Sequence, residues 1–88
     1  MGVFPGGSAY NMARDVAEGY ILVTERTFKT YKPNDISEFL FETDRYLREV
    51  RGNQAPPGDL EATQKRQRKM QRLQQALTIA NHVRSRRS

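Results

Sequence analysis

The sequence predicts an α+β protein: a short helix, a β-hairpin, a central amphipathic helix and then a long basic C-terminal helix. Three observations carry that prediction. Ile36, Phe39, Leu40, Thr43, Tyr46, Leu47 and Val50 recur at the i, i+3, i+4, i+7 spacing of a one-sided helix. Tyr20-Ile21-Leu22-Val23-Thr24 and Thr27-Phe28-Lys29-Thr30-Tyr31 are rich in the β-branched and aromatic residues of strands, and the second segment alternates apolar with polar. The residues after Pro56 and Pro57 form a long, cationic, helix-forming run.

The central helix is the best-marked element. Pro33 steers Lys32 away from helical geometry, and Asp35 with Glu38 three residues on has the form of a capping box, with Asn34 as the competing cap. Gly52 follows a last turn holding Arg48 and Arg51, which suits a helix stop with positive charge at its carboxyl end. Its stripe is the largest source of stability in the chain, at roughly 1.5–3 kcal/mol for each fully buried large apolar side chain.

Ahead of it, Met1, Gly2, Gly6, Gly7 and Pro5 predict a flexible arm over residues 1–7, in which Phe4 is a candidate anchor for a neighbouring protein. Ser8 caps a short helix with a narrow stripe of Ala9, Met12, Ala13 and Val16, ending at Gly19. The two strand-like segments follow, turning near Glu25 and Arg26. That turn lacks Asn-Gly or Asp-Gly, so a hairpin is the first choice and one continuous extended strand stays open. These elements define an α-β-β-α core over residues 8–52.

Residues 53–58 hold paired prolines and read as a linker. Asp59 then caps the helix over residues 59–88. Its first half is almost without apolar residues and carries Lys65, Arg66, Arg68, Lys69 and Arg72; its second half has a stripe of Met70, Leu73, Leu77 and Ala80; Arg84, Arg86 and Arg87 close it.

Charge is unevenly placed. Residues 1–52 carry seven Arg and Lys against eight Asp and Glu, residues 53–88 eight against two, so the net charge of +5 sits in the last third. Such asymmetry points to a polyanion or an acidic protein surface as the neighbour of that third, or to a solvated basic helix. With 88 residues the chain forms one domain at most, and with no cysteine it has neither disulfides nor a thiolate metal site. The longest apolar run, residues 20–23, is far short of the roughly 20 residues that span a membrane, and no signal pattern opens the chain, so a soluble, unprocessed protein is expected. Gly6 stands where a myristoylation signal wants Ser or Thr.

The inventory for catalysis is thin. His82, the single histidine, has no second imidazole with which to share a metal, and the carboxylates of the central helix are explained by solubility and i, i+4 pairing with Arg45 and Arg48. The expectation is therefore a non-enzymatic protein with no cofactor, no metal and no small-molecule substrate. Lys65, Arg66, Arg68, Lys69, Arg72, Arg84, Arg86 and Arg87 are the candidate contacts to nucleic-acid phosphates or an acidic partner. Phe4, Met70, Leu73 and Leu77 are the candidate apolar anchors.

The order of short helix, glycine, strand pair, capped helix, glycine and basic tail resembles the head–tail joining, or head-completion, proteins of tailed bacteriophages typified by the lambda W protein. The likeness covers residues 8–52 and lies in Ala9-Tyr10-Asn11-Met12 leading to Gly19, in Thr27-Phe28-Lys29-Thr30-Tyr31 as second strand, and in Asn34-Asp35-Ile36-Ser37-Glu38-Phe39-Leu40 opening the second helix. Glu25-Arg26 replaces the glycine-containing turn usual there, and the C-terminal helix is longer than the type member's basic end. The resemblance implies two helices on a β-hairpin and a structural connector that assembles as a homo-oligomeric ring under the portal. It implies portal, connector or tail proteins as partners, a border on the DNA channel, and a place in the virion. The alternative is a small basic nucleic-acid-binding protein in the host cytoplasm, holding phosphates through its C-terminal helix.

Overall fold

The computed structural model describes residues 3–87, the side chain of Arg87 excepted. Three helices carry the fold: α1 (Ala9–Glu18), α2 (Pro33–Gly52) and α3 (Leu60–Arg87), with 3-10 turns at Pro5–Gly7 and Glu25–Phe28. Among the described residues there is no strand. The expected hairpin and the α+β class are therefore corrected to an all-helical bundle.

The reason lies in how residues 24–31 satisfy their own backbone. The Thr24 N–H donates to Thr27 Oγ1 at 3.0 Å and the Thr27 N–H donates back to Thr24 O at 3.0 Å, a reciprocal cap that starts a tight turn. Lys29 N–H to Arg26 O and Tyr31 N–H to Phe28 O continue it. The residues that suggested a strand thus close a turn, and Phe28 and Tyr31, three apart, both fall on its buried side. Residues 21–24 form no regular element and pair with no second strand among the described residues.

Ser8, Gly19 and Asp59 cap as the sequence predicts, whereas the expected Asp35–Glu38 box and Gly52 stop do not form: Asp35 is the third residue of α2, and Gly52 lies inside the helix, which Asn53 closes. Ser8 Oγ accepts from the Asn11 N–H at 3.1 Å, and Gly19 ends α1 at φ 85°, ψ 10°, the left-handed geometry that a glycine adopts without steric cost. The helix α2 begins at Pro33, one residue into the expected start signal: Lys32 is the cap, and Asp35 serves from the third position by accepting the Lys32 N–H at 2.9 Å. Asp59 starts α3, its carboxylate accepting the Ala62 N–H at 3.0 Å.

The expected stripes meet in one interior. Met12, Val16, Phe28, Tyr31, Ile36, Phe39, Leu40, Ala76, Ala80 and Val83 belong to one cluster, and Ala13, Ala17, Leu47, Val50 and Leu73 to a second. Phe28 stands edge-on to both Phe39 and Tyr31, with ring centroids 5.2 Å apart in each case. The basic helix does not lie outside the unit over residues 8–52 but packs on both α1 and α2, bringing Leu73, Ala76, Ala80 and Val83 into the core. The linker over residues 53–58 folds α3 back along α2. The small Ala76 and Ala80 let α3 approach the aromatic cluster and complete its enclosure.

Candidate functional site

The cationic half of α3 was the strongest sequence lead, and each of its side chains has a definite place. Arg66 straddles the end of α2, Nε donating to Val50 O at 3.2 Å and Nη2 to Arg51 O at 2.7 Å. Arg72 does the same for α1, donating Nη1 to Ala17 O at 3.0 Å. Both guanidiniums therefore donate to carbonyls at a helix end, where the helix dipole also favours positive charge, although Val50 O accepts the Asn53 N–H as well. Capping was not legible in the sequence, because it depends on α3 running back past the ends of α1 and α2.

The others sort by partner. Lys69 Nζ pairs with Glu18 at 3.0 Å and Lys65 Nζ with Glu61, one turn earlier, at 3.6 Å. Arg68 is exposed and makes no hydrogen bond or ion pair among the described residues. Arg84 donates Nη2 to Asn81 Oδ1 at 3.2 Å; Arg86 pairs with Glu25, whose other oxygen lies 3.9 Å from His82 Nε2. The side chain of Arg87 lies outside the described residues.

The structure brings four of the eight together. Lys65, Arg68, Lys69 and Arg72, with Glu18, line an open hollow of about 340 Å³ between α3 and the end of α1. Glu18 is the one carboxylate in the lining and Glu61 meets Lys65 from one turn earlier, while between Ala62 and Ser88 the chain has no acidic residue at all. The outward face of α3 continues the hollow with Gln64, Gln67, Gln71, Gln74 and Gln75, all exposed. Such a surface suits a polyanion backbone: charge to neutralise phosphates, amides to hydrogen-bond their oxygens, and no aromatic platform for bases. Arg84 and Arg86 lie more than two turns away and belong to a separate patch with Glu25.

The apolar anchors turn inward. Leu73 is fully buried, and Met70 and Leu77 are half-buried against the second cluster, so the stripe expected to reach a partner closes the molecule's own core. Phe4 packs edge-on against Tyr31 at 5.5 Å, and the Tyr31 hydroxyl donates to Val3 O at 3.1 Å. The expected arm is held to the body from Val3 onward; Met1 and Gly2 lie outside the described residues. In place of those anchors, Val3, Tyr20, Leu22, Phe41 and Leu60 are the large apolar side chains left exposed among the described residues.

No protein-family model, curated protein or solved structure matches this chain. Among the described residues no helix is long and apolar enough to cross a membrane, and no group of His, Asp and Glu converges as metal ligands would.

Proposed function

We propose that this chain is a structural connector subunit at the head-to-tail junction of a tailed phage virion, joining portal, connector or tail proteins in a ring and bordering the DNA path with α3. The observation that carries the reading is the hollow of Lys65, Arg68, Lys69 and Arg72, in which four cations on one helix outnumber the two carboxylates they meet, Glu18 in the lining and Glu61 beside Lys65. Two of those cations are tied to the protein body, Arg72 by its cap and Lys69 by Glu18, so the surface is held in place rather than trailing free. The sequence order of Ala9 to Met12 before Gly19, and of Asn34 to Leu40, still matches the connector pattern. The hairpin that lay between them in that pattern is absent, so the likeness is left to those two stretches of sequence and carries no fold.

Mixing the purified chain with portal rings and weighing the products tests this reading. Stoichiometric uptake by the rings, lost with Arg68→Glu and Lys65→Glu together, supports it; a chain that ignores portal rings at all concentrations overturns it.

A second reading, a free nucleic-acid-binding protein, is favoured by Arg68, which the fold leaves unpartnered beside outward-facing amides. Its signature is tight duplex binding without any portal. Contact with about three phosphates gives a log–log salt slope of roughly −3, since each contact contributes about −0.9.

A further inference from the structure

Residues 20–24 form the most unusual stretch of the molecule. Gly19 ends α1 just before it, and Thr24 leaves it in extended geometry at φ −132°, ψ 174°. Between them exposure alternates: Tyr20 is 79% and Leu22 81% exposed, while Val23 is buried and Ile21 packs against the core. That is the two-residue period of a strand. The Tyr20 N–H donates to Asp15 O, and Thr24 is satisfied by Thr27. The backbone N–H and C=O groups of Ile21, Leu22 and Val23 make no hydrogen bond among the described residues. A row of unpaired backbone groups beside two exposed apolar side chains offers what an edge strand offers, in a chain that supplies no strand to pair with it.

The partner such an edge takes is extended backbone, which alone repeats donors and acceptors at the matching interval. The segment is also complementary to itself. An antiparallel copy centred on Leu22 sets Ile21 opposite Val23 and Tyr20 opposite Thr24, pairings of β-branched and aromatic side chains that stabilise sheets. Charge agrees with the same register: Arg26, whose side chain makes no hydrogen bond or ion pair among the described residues, comes to the end of the second copy that carries Glu18, there shared with Lys69. Glu25 comes to the Gly19 end, where the Arg72 guanidinium lies. We infer that two copies of this chain pair antiparallel through residues 20–24, forming a two-stranded ribbon about a two-fold axis at Leu22.

The contact is small. Five residues a side fall well below the roughly 1,200 Å² of a stable interface, so the pair is weak, with a dissociation constant on the order of 100 μM. An isologous contact also closes at two copies and cannot by itself build a ring. The pairing thus goes beyond the connector reading and describes the chain before it is incorporated.

Sedimentation equilibrium on the full chain from about 10 μM to 1 mM, spanning that constant, with a carbon-13 label on the Leu22 carbonyl for isotope-edited infrared spectroscopy, tests the inference. The expected result is a monomer–dimer equilibrium whose rise with concentration is matched by a strand-type shift of the labelled band. Leu22→Lys, which sets like charges opposite each other, raises the dissociation constant at least about tenfold, and Phe41→Lys leaves it unchanged. Arg26→Glu weakens the dimer by about threefold, and adding Glu18→Arg to it restores the affinity; circular dichroism checks that each variant keeps its helices. A monomer throughout the range, a dimer indifferent to Leu22→Lys, or a labelled band that never shifts overturns the inference. A chain that dimerises as described yet ignores portal rings sinks the connector reading alone; one that stays monomeric yet joins the rings sinks the pairing alone.

Discussion

The guanidinium of Arg72 lies over Gly19 so closely that a Cβ built on the glycine would stand 3.0 Å from Arg72 Cζ. One residue ends a helix and the other caps it, from positions far apart in sequence. Gly19 turns the chain out of α1 at positive φ, and its lack of a side chain leaves room for the guanidinium to reach Ala17 O. Gly19→Ala therefore meets two obstacles at once: left-handed geometry costs a residue with a Cβ about 1–2 kcal/mol, and the new methyl crowds Arg72. Urea unfolding reads the loss as a lower midpoint. Arg72→Lys is expected to lose part of the cap, because an ammonium does not reproduce the planar fork, and the two substitutions together cost less than the sum of each alone.

Leu73 is the test of whether α3 is a wall or an appendage. It is fully exposed to neither solvent nor partner but buried between α1 and α2 with Ala13, Ala17, Leu47 and Val50. Leu73→Ala is expected to cost about 2–5 kcal/mol, a large share of the 5–15 kcal/mol typical of a whole domain. Removing residues 59–88 takes Ala76, Ala80 and Val83 as well, and the remaining fragment is expected to melt without a cooperative transition. A fragment that keeps its melting temperature shows that the first two helices fold without α3.

Thr43 offers a stabilising change. It is fully buried in α2, and its Oγ1 has no hydrogen-bond partner among the described residues. A hydroxyl buried without a partner is a penalty that valine, close in shape, does not carry. Thr43→Val is expected to raise stability by about 1 kcal/mol, seen as a higher denaturant midpoint at unchanged slope. A lower midpoint would mean that the hydroxyl is paired after all.

Where the sequence was legible, the signals were periodic and local. The stripe of α2, from Ile36 to Val50, is the stripe the structure buries, with Tyr46 half-covered at its edge. Ser8, Gly19 and Asp59 cap where cap residues were expected. Residues 20–31 misled because β-branched and aromatic residues record a fit to a half-buried surface rather than a strand as such: Thr24 and Thr27 serve a turn, and Phe28 and Tyr31 fill a helical core. The cations misled for a different reason. Charge along α3 is visible in the sequence, but whether a guanidinium faces solvent or the end of another helix is decided by the chain reversal at residues 53–58. Arg66 and Arg72 read as free contacts until that reversal places them against the carbonyls of Val50, Arg51 and Ala17.

Tyr31 is expected to weaken the fold at alkaline pH. Its ring is buried against Phe28 and Phe4, and burial, with Asp35 adding, pushes its hydroxyl above the ordinary value of 10.0. Tyr10 is raised as well, by desolvation first and then by its hydrogen bond to Glu49. A group whose folded value exceeds its unfolded one holds its proton more tightly in the native state. Its contribution is therefore complete below about pH 10, the unfolded value, and is lost as pH climbs through the raised folded value. Melting temperature is expected to hold from neutral pH to near 10 and then fall. Tyr31→Phe has two effects that can be separated. It lowers the neutral-pH stability by about 1 kcal/mol through loss of the bond to Val3 O, and it makes the alkaline fall shallower, because the ring left in the core no longer titrates. An alkaline limb identical in the variant and the parent would show that Tyr31 ionises no differently in the folded chain than in the unfolded one.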